Sequence, residues 1–236
     1  MKKCYTYDDV QIVPGYSDIE HREQCNTITR VTKNIHLEIP LVSSPMDTVT
    51  DYHMCMEMDR LGGMGFLHRF QHPDDIALTI DRFRNKRPAG TIGASIGVTG
   101  DYVNIAQMYV DNGAQIILLD VAHGHHKLVK EAMRRLKDEV KGTFDILVGN
   151  IATEEAARDL CEWGADGLRI GIGGGSLCST RIQTGVGIPM VSSILSCAVV
   201  ADDYDVPCMA DGGVRMPADV CKGIVAGADT VMLGSL

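Results

Sequence analysis

Basic charge is what this chain is short of: 22 lysines and arginines stand against 31 aspartates and glutamates, a net charge of −9. No basic stripe offsets the deficit, so binding to nucleic acid or to an anionic membrane surface has no electrostatic footing. A phosphate ligand would have to be held by local backbone donors. No apolar run approaches the roughly 18 residues of a membrane span. The first fifteen residues carry two lysines but no apolar stretch long enough for a secretory signal. The eight cysteines, at 4, 25, 55, 161, 178, 197, 208 and 221, form no C-x-x-C pair. Several sit in apolar surroundings, as reduced core thiols do, and a cytoplasmic location is the expectation. What remains is globular: 236 residues, 45% apolar and 22% charged, enough for one barrel or α/β domain.

After an extended arm (about 1–35), eight apolar runs alternate with helical patterns. They lie at 39–46, 63–69, 91–97, 115–122, 145–151, 167–173, 207–213 and 230–235. Most turn polar or glycine-rich at the C-terminal end, as strands covered on both faces do when their functional loops leave the carboxyl ends. A helix is expected over 153–163, with Thr153 as N-cap, Glu154 and Glu155 at the positive end of the dipole and Gly164 as the stop. Another is expected over 217–226, from Pro217 in its first turn to Gly227 after its end. Gly113-Ala114, Gly164-Ala165 and Gly227-Ala228 each separate a helix from an apolar run, a repeating βα module. Eight modules favour a single closed (β/α)8 TIM barrel over 1–236. An open doubly wound sheet would want a G-x-G-x-x-G turn after its first strand, and none is there. The chain ends directly after the eighth run, so the eighth helix is missing from it.

The most informative stretch leaves the sixth run. Gly171, Gly173, Gly174 and Gly175 allow backbone conformations closed to other residues and a close approach to a ligand. Their N–H groups can cup an anion, and carbonyls facing the other way can ligate a monovalent cation. Ser176 adds a hydroxyl for a phosphate. Cys178 stands on the rim as a nucleophile, and Thr180 is placed to position water or relay a proton. After the seventh run, Asp211 can accept from two sugar hydroxyls, while Gly212 and Gly213 admit a phosphate. Gly234 and Ser235 end the eighth run with a further backbone-plus-hydroxyl pair. Phosphate binding after strands seven and eight recurs in barrels. Each piece has a plainer reading, a glycine turn beside a buried thiol or an Asp-Gly-Gly turn; their convergence on one barrel face favours a site. Asp120, ending an apolar strand, needs a partner or a function. His123, His125 and His126 lack the spacing of a zinc site and read as surface residues.

These residues resemble the IMP dehydrogenase/GMP reductase family. The likeness lies in Leu168 to Thr180, Ser43-Ser-Pro-Met-Asp-Thr-Val49, Gly149-Asn150, Ala210-Asp-Gly-Gly213 and Met232-Leu-Gly-Ser235, and it runs from Tyr7-Asp-Asp-Val10 to the last residue. The resemblance implies that Cys178 bonds to C2 of a purine mononucleotide, with Thr180 assisting the water or ammonia step. It implies that Ser176, Gly213, Gly234 and Ser235 bind the 5′-phosphate and Asp211 the ribose. Ser44 and Met46 would line the nucleotide pocket, with Asn150 and Arg169 close by. Main-chain carbonyls of Gly173, Gly175 and Cys178 would hold potassium. Asp120, Ala122, His123, Gly124 and Gly171 would face the nicotinamide cofactor, NADPH in a reductase or NAD in a dehydrogenase. A homotetramer is implied in the same way.

Three features resemble the reductase more: Thr180-Arg-Ile-Gln-Thr-Gly-Val-Gly187, the opening Tyr7 to Pro14, and a link after His68-Arg-Phe-Gln71 too short for an inserted regulatory domain. Ser43 to Thr50 and Ala122-His-Gly-His125 suit a dehydrogenase equally. The flap that resemblance places after the eighth strand is not visible, so a nucleotide-binding homologue without turnover stays open. A phosphosugar isomerase on the same fold would use the phosphate loops but not Cys178.

Overall fold

The computed structural model describes residues 3–175 and 178–234. A short antiparallel hairpin, β1 (Thr29–Arg30) and β2 (His36–Leu37), precedes the barrel. Eight parallel strands follow: β3 (Leu41–Ser43), β4 (Met64–Leu67), β5 (Ile92–Ile96), β6 (Ile116–Asp120), β7 (Asp145–Ile151), β8 (Gly167–Ile170), β9 (Cys208–Asp211) and β10 (Thr230–Leu233). They close into a barrel as β10 pairs with β3, Val231 opposite Leu41. Each strand falls within one of the eight apolar runs. The helices between them are α1 (Tyr52–Arg60), α2 (Pro73–Lys86), α3 (Tyr102–Asp111), α4 (Lys127–Glu139), α5 (Glu154–Glu162), a short α6 (Thr180–Thr184), α7 (Met190–Asp203) and α8 (Pro217–Val225). No helix among the described residues is long and apolar enough to cross a membrane.

The strands read as continuous apolar runs because both faces are covered. In β6, Ile116 and Leu118 join Val42, Met64, Phe66, Leu147, Met209 and Met232 inside the barrel, while Ile117 and Leu119 pack outward against the helices. The Gly-Ala repeat has a common geometry. Gly113, Gly164 and Gly227 take φ of +100°, +92° and +109°. The alanine N–H after each donates to the carbonyl five residues back, on Tyr109, Leu160 and Gly223. That is the Schellman stop, which satisfies carbonyls the helix end leaves open. The residue after each alanine then fixes the register of the preceding strand. Gln115, Asp166 and Asp229 accept side-chain bonds from the N–H of Ile92, Ile146 and Cys208, at 3.1, 2.9 and 2.7 Å.

The arm is not extended throughout 1–35, as its sequence suggested. The hairpin plugs the N-terminal end of the barrel, with Val31 and Leu37 joining the inner core. Thr32 Oγ1 and Asn34 Nδ2 donate to the Asp145 carboxylate at 2.6 and 2.8 Å. Near the start, Tyr7 is buried against the barrel. Strands two residues long carry no periodicity, and a single buried tyrosine gives none either.

Candidate active site

The carboxyl ends of the strands open into a cavity of about 510 Å³. The glycines there are required by close approach. Gly171 has φ +140°, and a Cβ on it would stand 2.1 Å from the carbonyl oxygen of Asp211. A Cβ on Gly174 would lie 2.6 Å from Met190 Sδ, and one on Gly212 would lie 2.9 Å from the Gly175 nitrogen. The loop after β8 and the Asp-Gly-Gly turn after β9 therefore pack backbone to backbone over buried Met190. Ile188 N–H donates to Ile172 O at 3.2 Å and closes the loop on itself. Cys178, half-buried, hangs from this loop; its N–H donates to Gly175 O at 3.2 Å.

Ser44, Met46, Asn150, Arg169, Gly171, Gly173, Gly175, Cys178, Thr180, Asp211, Gly213 and Gly234 all line this one cavity. Ser176 and Ser235 lie outside the described residues. Burial separates the thiols chemically. It pushes Cys55 and Cys197 up to about 12 and Cys161 to about 11, and it raises Cys208 well above its ordinary value. Those four stay protonated in packing, while Cys178 opens on the cavity. Ser44 Oγ is buried there without a partner among the described residues, a group whose hydrogen bond a ligand can supply.

The floor is an ion-pair network. The Arg169 guanidinium donates to Asp120 Oδ1 at 2.6 Å and pairs with Asp211 Oδ2 at 2.9 Å. Burial opposes its charge, but Asp211 and Asp120 outweigh that, and the guanidinium is held above its ordinary range. Asn150 Nδ2 donates to Asp211 Oδ2 at 2.8 Å and to Gly171 O at 2.7 Å. Asp211 is thus braced from two strands, with both contacts on one oxygen. Arg69 Nε stands 3.6 Å from Asp120 Oδ2.

The residues expected to face a nicotinamide are only partly brought together. Ala122 lines the cavity with Gly171, and His123 is exposed nearby in sequence. Asp120 does not line it, because its carboxylate is turned to Arg169 and Arg69. Gly124 does not either: it is buried, and its N–H donates to Asn150 O at 2.8 Å, which makes it a packing position. His125 pairs with Asp159 at 2.8 Å. The main-chain carbonyls of Gly173, Gly175 and Cys178 would offer a cation oxygen donors only, a set suited to a hard ion. The structure adds Thr6, Asp8, Arg181 and Arg215 to the cavity wall. Arg181 belongs to the segment the sequence singled out. Asp8 lies in the opening Tyr7 to Val10 match, though no site was assigned to it, and Arg215 carried no signal.

Comparison with known proteins identifies the family. The model of the IMP dehydrogenase / GMP reductase domain matches residues 4–236. The inosine-5′-monophosphate dehydrogenase of Cryptosporidium parvum is 36% identical over 275 residues, covering 99% of this chain and 68% of that protein. The GMP reductase of Leishmania major is 32% identical over 363 residues, covering 98% of this chain and 74% of its own. The crystal structure of GMP reductase from Trypanosoma brucei, in complex with guanosine 5′-triphosphate, superposes with a TM-score of 0.94 at 28% identity, over 100% of this chain and 87% of that one. On the domain match and these identities, the chain belongs to the IMP dehydrogenase/GMP reductase family and is a nicotinamide-dependent oxidoreductase of that type.

Proposed function

We propose that this chain is a GMP reductase, converting GMP and NADPH to IMP, ammonia and NADP. The observation that carries the reading is that Arg181, of the reductase-like Thr180 to Gly187 segment, lines the same cavity as Cys178 and Thr180. The 5′-phosphate is received by backbone N–H groups of Gly213 and Gly234, with Ser176 and Ser235, and the ribose by Asp211. Ser44 and Met46 flank the base. The Cys178 thiolate attacks C2, forming a C–S bond. The amino group leaves as ammonia, with the Thr180 hydroxyl relaying the proton it needs. Ala122 and Gly171 would hold the nicotinamide, which when bound would supply the hydride for C2. The C–S electron pair then returns to sulfur, and IMP is released.

Potassium on the carbonyls of Gly173, Gly175 and Cys178 would hold the loop in place; carbonyl oxygens have a second lone pair, so the Cys178 N–H bond to Gly175 does not exclude it. A reducing, cytoplasmic setting suits the four buried thiols. A homotetramer fits the exposed Val13, Tyr16, Ile19 and Ile28 of the arm.

The dehydrogenase is the second reading, because one feature counted for the reductase gives way. The Leishmania reductase aligns over 363 residues and the Cryptosporidium dehydrogenase over only 275. Lack of a long insertion therefore does not separate the two activities. Nicotinamide absorbance decides, followed with GMP and NADPH, and separately with IMP and NAD, with and without potassium. Oxidation of NADPH only with GMP supports the reductase, and NADH formation from IMP replaces it with the dehydrogenase. Tight nucleotide binding with neither signal would leave a binding homologue.

A further inference from the structure

Two charges at the cavity mouth have no part in chemistry at C2. Arg215 stands two residues beyond Gly213, and Asp8 comes from the N-terminal arm; both line the cavity. They form an ion pair across 207 residues of sequence, with side chains 55% and 58% exposed. Their backbones are fixed on both sides. The N–H groups of Arg215 and Met216 donate to Asp219 Oδ2 at 3.0 and 3.3 Å, and Asp219 is 1% exposed. On the arm, Tyr7 is 1% exposed and its carbonyl accepts from Lys222 Nζ at 2.8 Å. A Cβ on Gly213 would lie 3.5 Å from the Tyr7 ring, so the arm rests on the Asp-Gly-Gly turn itself. Thr6 N–H donates to Asp9 at 2.7 Å, and Tyr5 N–H donates to Ser192 Oγ at 2.8 Å.

We propose that the Asp8–Arg215 pair sets the phosphorylation state of the nucleotide this site accepts, admitting a 5′-monophosphate and rejecting di- and triphosphates. The inference rests on the reading above, in which the 5′-phosphate lies at Gly213 and Gly234. A long arginine on a fixed loop can turn from a carboxylate to a ligand phosphate. A short aspartate on an anchored segment cannot withdraw. One phosphate is met by the glycine amides and shares Arg215. Further phosphates must extend toward the rim, where each adds negative charge opposite Asp8. Selectivity then comes from a built-in repulsion rather than from tighter contact with the preferred ligand.

The test is calorimetric titration of the full chain with GMP, GDP and GTP, for the wild type, Asp8→Asn, Asp8→Ser and Arg215→Gln. The wild type should bind GMP about tenfold or more tightly than GTP, the discrimination expected of a repulsive element at a partly exposed site. Both Asp8 variants should narrow that ratio about fivefold, the order of one partly exposed charge, and the effect should shrink at high salt. Arg215→Gln, which leaves Asp8 unopposed, should widen it. GMP binding with an unchanged GTP ratio in both Asp8 variants, each shown folded by its melting transition, overturns the proposal alone. Failure of the wild type to bind either GMP or IMP, titrated in the same way, overturns the mononucleotide reading and this inference with it.

Discussion

Replacing Arg169 with methionine is the sharpest probe of the site's foundation. Arg169 is 7% exposed, and its guanidinium holds two carboxylates, Asp120 at 2.6 Å and Asp211 at 2.9 Å. Methionine fills a similar volume but leaves both aspartates without their central counter-charge. Removing one partner of a buried pair costs about 3–5 kcal/mol, mostly from the charge left behind. Two carboxylates are stranded here, which pushes the cost up. Arg69, 3.6 Å from Asp120, and Asn150, 2.8 Å from Asp211, soften it. The two corrections oppose each other, so a loss of about 3–5 kcal/mol is expected for Arg169→Met. Against a total stability of about 5–15 kcal/mol, the variant should still fold at room temperature. Urea denaturation followed through the one tryptophan, Trp163, measures it. The control is Arg169→Met with Asp120→Asn and Asp211→Asn, which removes all three charges and should recover most of the loss. If Arg169→Met costs under about 1 kcal/mol, or the triple variant is no more stable than the single one, the network is not what braces Asp211.

Three more outcomes follow from the same geometry. Cys178→Ala should abolish turnover while keeping nucleotide binding by calorimetry, and iodoacetamide should spare Cys55, Cys161, Cys197 and Cys208 in the native protein, read by peptide mass. Burial raises the carboxyls of Asp166 and Asp229 above 3.8, against the pull of the Ile146 and Cys208 N–H groups. The folded state therefore holds these protons more tightly than the unfolded one, and their share of stability is full below about pH 4 and lost as pH rises through the folded values. Urea midpoints of Asp166→Asn and Asp229→Asn should decline less than wild type from pH 4 to pH 7; curves parallel to wild type would refute this. Gly171→Ala puts a Cβ 2.1 Å from Asp211 O at φ +140°. It should cost more than about 2 kcal/mol in the same denaturation assay and depress kcat by displacing Asp211, whereas an alanine at exposed Gly100, with open space around it, should lose no more than the strain of its positive φ.

What the sequence made legible is what local physics decides. Strands covered on both faces have to be apolar throughout, so all eight could be located. Gly-Ala marked helix ends because a left-handed stop needs no Cβ and the next residue turns into the core. The glycine loop announced a site because no side chain fits where two backbones meet. What stayed hidden depends on contacts between distant residues. Arg169 lies 49 residues from Asp120 in sequence, and Asp8 lies 207 from Arg215. Those pairings change what the cavity's charges mean. Three arginines line it, which would read as a cationic pocket. Yet Arg169 is held by two aspartates and Arg215 by a third, so much of that charge is already answered. The acidic composition implied that a phosphate would be held by backbone donors, and in the proposed reductase the amides of Gly213 and Gly234 take that part, with Arg215 free to turn from Asp8. In the proposed reductase, specificity would turn on those amides and on the carboxylate that faces the phosphates, so changes to Asp8 should alter ligand choice more than changes to overall charge.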